Sequence, residues 1–74
     1  SMVEKAEEYI KKRGISEVRV RCQGSTARIE IPQDELKIFC KDYDFHELVN
    51  YFSHLGFKCT SLDLEGLISG KLNR

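Results

Sequence analysis

Two rhythms of apolar residues run along the chain. Near the start, Val3, Ala6, Tyr9 and Ile10 share one face of a 3.6-residue period. Glu4, Glu7 and Glu8 lead that stretch and Lys11, Lys12 and Arg13 close it, the polarity a helix dipole favours. Glu7–Lys11 and Glu8–Lys12 stand at i,i+4 in the better orientation, and Gly14 supplies a stop. The spacing predicts a helix over 3–13.

The period then drops to two. Val18, Val20 and Cys22 alternate with Arg19 and Arg21, and Ala27, Ile29 and Ile31 alternate with Thr26, Arg28 and Glu30. Between them, Gly24-Ser25 suits a two-residue type II′ reversal in which glycine takes the positive φ. Such a hairpin sets Val18, Val20 and Cys22 with Ile31, Ile29 and Ala27 on one core face. Pro32 ends the second strand, since it cannot donate to a ladder.

Residues 33–41 read as a short helix with Leu36, Phe39 and Cys40 on one side. Asp44-x-x-Glu47 opens a further helix over 45–55, with Tyr43 placed to staple Leu48. Phe45, Leu48, Val49, Phe52 and Leu55 line one face, and Gly56 follows its end. Residues 57–64 read as a third strand with Thr60, Leu62 and Leu64 inward and Cys59, Ser61 and Asp63 outward. Glu65 to Arg74 shows little periodicity and reads as irregular. No repeat or internal linker interrupts this order. The prediction is one small α+β domain over 1–74: a two-layer sandwich of order α-β-β-(α)-α-β. A small antiparallel or mixed three-stranded sheet carries the helices on one face.

Composition narrows the function classes. The chain has 74 residues, with 12 basic and 12 acidic side chains and zero formal net charge. That balance gives no global pull toward nucleic acid or anionic lipid, so electrostatic function must be local. No apolar run approaches the ~20 residues of a membrane span. A domain of this size buries only roughly 60% of its unfolded surface, which disfavours a deep active site and favours help from partners. Cys22, Cys40 and Cys59 are odd in number and widely spaced, which argues against a disulfide framework and a zinc site. A reducing cytoplasm is the expected compartment. Cys22 and Cys40 are expected to pack in the core, leaving Cys59 as the thiol worth a reactivity test. Ser1-Met2 has no signal-peptide character and reads as a tag remnant. His46 and His54 lie on one helix about 80° apart and roughly two turns along it, so they cannot share a metal. The aromatic residues match core or staple positions rather than base-stacking platforms.

The hairpin register has a chemical consequence. Arg21 falls opposite Arg28, and Arg19 opposite Glu30, on the face away from the core. Like charges in opposition cost on the order of 0.2–1 kcal/mol relative to a neutral pair. An anion between the two guanidinium groups removes that cost, because their forks bind phosphate or carboxylate in bidentate fashion. Glu30 is expected to orient Arg19, and Asp63 to reach the same face. The competing reading is a solvated face whose charges keep the domain soluble.

Two stretches together resemble a known family. Val18-Arg19-Val20-Arg21-Cys22-Gln23-Gly24 continues to Ala27-Arg28-Ile29-Glu30-Ile31, and Leu55-Gly56-Phe57 continues to Leu62-Asp63-Leu64-Glu65-Gly66, then Ser69-Gly70 and Asn73. This pattern is similar to the C-terminal domain of the ATP-dependent sacrificial sulfur transferases. These are pyrophosphatase-loop enzymes of nickel-pincer cofactor biosynthesis. The resemblance implies a domain that packs against a catalytic domain and helps form the substrate site and the oligomer. It also implies that Arg19 and Arg21 bind a phosphate-bearing ligand, with Arg28, Glu30 and Asp63 in support. Ile68 stands where the family has an arginine, and Gln23 where it often has histidine. The family's ATP-binding loop and sacrificial cysteine segment are absent from these residues, so the chain is expected not to catalyse by itself and to need no cofactor of its own. It reads as an excised domain or a separate protein acting in trans. Its expected partners are an anionic small molecule, a catalytic domain and a second copy of itself. A nucleic-acid-binding or regulatory module is the rival reading, disfavoured by charge neutrality and the lack of stacking aromatics; a pure assembly domain is the third.

Overall fold

The computed structural model describes residues 1–68. Helix α1 spans Met2–Lys11, strands β1 and β2 span Arg19–Gln23 and Thr26–Glu30, and a 3-10 turn at Gln33–Glu35 leads into α2, Leu36–Asp42. Helix α3 spans Phe45–Leu55 and β3 spans Cys59–Leu62. The sheet order is β1-β2-β3, with β1 antiparallel and β3 parallel to β2. The predicted α+β sandwich with a mixed sheet is therefore the observed architecture.

Local signals explain the element ends. Helix α1 begins at a capping box: the Ser1 side chain accepts from the Glu4 N–H while Glu4 reaches back to the N-cap. Asp44 caps α3 by accepting from the Glu47 N–H, and Gly56 closes it at φ 118°. Gly24 takes φ 59° in the hairpin turn, and β1 and β2 pair as predicted, from Arg19↔Glu30 to Gln23↔Thr26.

The core lies between the sheet and the helical layer. Ile10, Phe39, Phe52, Ile29 and Ile31 are each at most 2% exposed, with Ala6, Val20, Ala27, Leu48 and Phe57 around them. Tyr43 donates from its hydroxyl to the Ile10 carbonyl at 2.6 Å, tying the α2–α3 junction to α1. Tyr9 donates to Glu47 Oε1 at 2.6 Å, and Arg13 both pairs with that carboxylate at 2.8 Å and stacks over the Tyr9 ring. This cluster joins α1 to α3.

Several inward expectations fail at the rim. Cys22 and Cys40 are exposed rather than buried. Cys22 sits on an edge strand beside the turn, and Cys40 lies a 100° step past the inward Phe39 on a short helix. Phe45, Val49 and Leu64 are 44%, 50% and 74% exposed, because no described element covers that side of α3 or the end of β3. Glu7 does not serve Lys11: its Oε2 accepts from the Val20 N–H at 2.9 Å and blocks the outer edge of β1. His54 places Nδ1 2.8 Å from the Asn50 carbonyl in the last turn of α3. Among the described residues no helix is long and apolar enough to cross a membrane.

After β3 the chain turns back onto the sheet. Asp63 accepts from the Glu65 N–H at 2.9 Å, and Leu67 donates to the Ile31 carbonyl at 2.7 Å. Gly66, at φ 81°, passes so close that a Cβ would meet the Ile31 oxygen at 2.7 Å. Gly14 also has positive φ, yet nothing lies within 4 Å of its Cβ position. Urea denaturation should therefore separate the two alanine variants. Gly14→Ala should lose about 1 kcal/mol from backbone strain alone, and Gly66→Ala clearly more.

Burial and the Glu47 hydrogen bond raise the Tyr9 hydroxyl from 10.0 to about 12. The folded state thus holds that proton after the unfolded chain has released it, and stability falls as pH rises from 10 through 12. Denaturation across this range should show a decline that Tyr9→Phe flattens.

Candidate functional site

The open face of the sheet carries the predicted residues. Strand alternation places Arg19, Arg21, Arg28 and Glu30 on the side opposite the buried Val20 and Ile29. In the parallel ladder Thr26 pairs with Cys59 and Arg28 with Ser61, so Cys59 and Ser61 share this face. Asp63 continues the same parity.

Arg21 and Arg28 stand directly opposite one another, as the register requires. Their mutual repulsion is answered from within the protein. Glu30, 2% exposed, bridges them: Arg21 Nε lies 3.3 Å from Oε1 and Arg28 Nη2 3.2 Å from Oε2. The role expected for Glu30, orienting Arg19, is thus replaced by a clamp on Arg21 and Arg28. The carboxylate can take this place because Glu30 and Arg28 are two residues apart on β2, on one side of the strand.

Arg28 is the most constrained guanidinium. Its Nη1 donates to Gln23 Oε1 at 3.2 Å, so Gln23 belongs to the cluster although sequence reasoning gave it no role. The Arg28 Nε is buried without a hydrogen-bond partner and faces Asp63 Oδ2 at 3.9 Å, an ion pair too long for a hydrogen bond. Arg19 is exposed and makes no side-chain hydrogen bond or ion pair among the described residues. A shallow depression beside it is lined by Val3, Glu7, Arg19, Val20, Arg21 and Gln23. Three guanidinium groups and two carboxylates share this face, which leaves one positive charge in excess. Among the described residues no group of histidine, cysteine and acidic side chains could hold a metal ion.

Over 97% of its length the chain is 46% identical to an uncharacterized protein of Synechocystis sp.. Over 92% it is 39% identical to pyridinium-3,5-bisthiocarboxylic acid mononucleotide synthase of Lactiplantibacillus plantarum. The matches are domain-sized. The chain spans about a quarter of each relative, 27% and 24% respectively. No family model matches it. The synthase supports the family resemblance drawn from the two sequence stretches.

Removing the charge of the bridging carboxylate leaves two guanidinium groups facing each other. Breaking a fully buried pair costs about 3–5 kcal/mol. Arg21 and Arg28 retain 32% and 19% side-chain exposure, which reduces that figure. Glu30→Gln should therefore lose about 2 kcal/mol in chemical denaturation, and Arg21→Ala less, since it leaves Glu30 paired with Arg28.

Proposed function

We propose that the chain is an accessory domain of a sulfur-transferase-like, pyrophosphatase-loop system, and that it binds an anionic ligand on the open sheet face without catalysing by itself. The observation that carries this reading is the unequal use of the three arginines. Arg28 is spent on Glu30 and Gln23, Arg21 is held by one contact and remains a third exposed, and Arg19 is exposed beside it. A phosphate or carboxylate docking there meets the Arg21 guanidinium already held by Glu30, with the Arg19 guanidinium beside it open to form further charge-assisted hydrogen bonds. The similarity to a synthase of a bisthiocarboxylic acid mononucleotide supports a ligand carrying both kinds of group. In this reading Arg19 and Arg21 contact the anion, while Arg28, Glu30 and Asp63 hold the platform. The activity of the whole system resides in a catalytic domain that these residues do not supply.

Titration of the chain with a pyridinium-carboxylate mononucleotide, followed by amide NMR shifts, tests the reading. Arg19→Ala and Arg21→Ala should each weaken binding roughly tenfold, as expected when a hydrogen bond to a charged group is lost. The salt dependence should match one phosphate; a steep slope would indicate a polynucleotide instead. Unchanged affinity in both variants removes the ligand role.

A further inference from the structure

Arg28 orients a second side chain besides Glu30. A guanidinium can only donate, so the Gln23 atom it meets at 3.2 Å is the amide oxygen, and that contact sets which way the amide faces. The contact is diagonal: Gln23 pairs with Thr26, whereas Arg28 pairs with Arg21, two residues further from the turn. The Gln23 side chain therefore leans along β1 toward the level of Arg21, on the charged face. Its Nε2 end keeps two N–H groups, and among the described residues no acceptor takes them.

The depression beside Arg19 gathers further unused donors. Arg21 reaches Glu30 through Nε, and its two terminal nitrogens bond to no described residue. Arg19 is exposed next to it, and Gln23 lines the depression with both. The carboxylate that also lines it, Glu7, has one oxygen taken by the Val20 N–H at the strand edge. A planar carboxylate turns two oxygens to two guanidinium forks. A phosphoryl group is tetrahedral and offers three. Its third oxygen stands out of the plane of the other two, where a donor from a third side chain meets it best.

We propose that Gln23 is a specificity-determining residue of this face: its Nε2 donates to the third oxygen of a bound phosphoryl group, an oxygen that a carboxylate lacks. Arg28 is then a positioning residue, which holds the amide in that orientation without touching the ligand. This rests on the anion-binding reading above and narrows it, since the amide separates two kinds of anion that the arginines alone treat alike.

Inorganic phosphate and acetate are the probes, titrated into the chain at about pH 8, where phosphate carries its second charge, and followed by amide NMR shifts. Both should bind, and Arg19→Ala should weaken both. Gln23→Met keeps the length of the side chain and removes its amide. It should weaken phosphate about tenfold, the loss of one hydrogen bond to a charged group, and leave acetate unchanged. Gln23 is exposed at the end of its strand, so the core is untouched. Should the methionine disturb the strand, Gln23→Thr, a good strand former too short to reach the anion, repeats the comparison. Equal weakening of both anions, as a merely structural role would give, or no effect on phosphate, overturns this inference while the anion-binding reading stands. A chain that binds neither anion overturns both.

Discussion

The register of the β1–β2 hairpin constrains everything else. A slip of one residue would turn Arg19, Arg21, Arg28 and Glu30 toward the helices and Val20, Ala27 and Ile29 toward water. The apolar face holds the register in place, since Val20, Ala27 and Ile29 are each at most 3% exposed. The same register forces Arg21 against Arg28. Packing on one side of the sheet thus creates an electrostatic problem on the other, and Glu30 is the local solution.

That solution changes what the guanidinium pair can do. An unoccupied pair would demand an external anion. Here an internal carboxylate already lies between the two, so a ligand adds to a neutralised platform and meets mainly the arginines of the outer strand. The excess of one positive charge suits a small anion better than a polymer of phosphates.

Much of this was legible in sequence because it is local. The alternation of Val18 to Cys22 and Ala27 to Ile31, the Gly24-Ser25 reversal, the Asp44 cap and the Gly56 stop each follow from neighbours within a few residues. What failed depended on which elements become spatial neighbours. Val49 and Leu64 fit the apolar periods of α3 and β3, yet both lie where the helical layer ends. Cys22 has core parity on an edge strand that is not covered near the turn. The burial of Glu30 was missed for the opposite reason: a charged residue on the open face reads as solvated. The available signal was its spacing of two from Arg28, which guarantees that the pair meets on one side of an extended strand. The parallel placement of β3 beside β2 brought in Asp63, and Gln23 entered through a side chain long enough to cross from β1.

The central position of β2 divides the labour of the charged face. Arg28 and Glu30 sit on the interior strand, hydrogen-bonded to a neighbour on each side, and any change there disturbs the whole sheet. Arg19 and Arg21 sit on the rim. A lineage could therefore exchange the rim residues to suit a new partner molecule while the interior anchor stays as it is, so that recognition can diversify at the margin without reopening the question of how the domain folds.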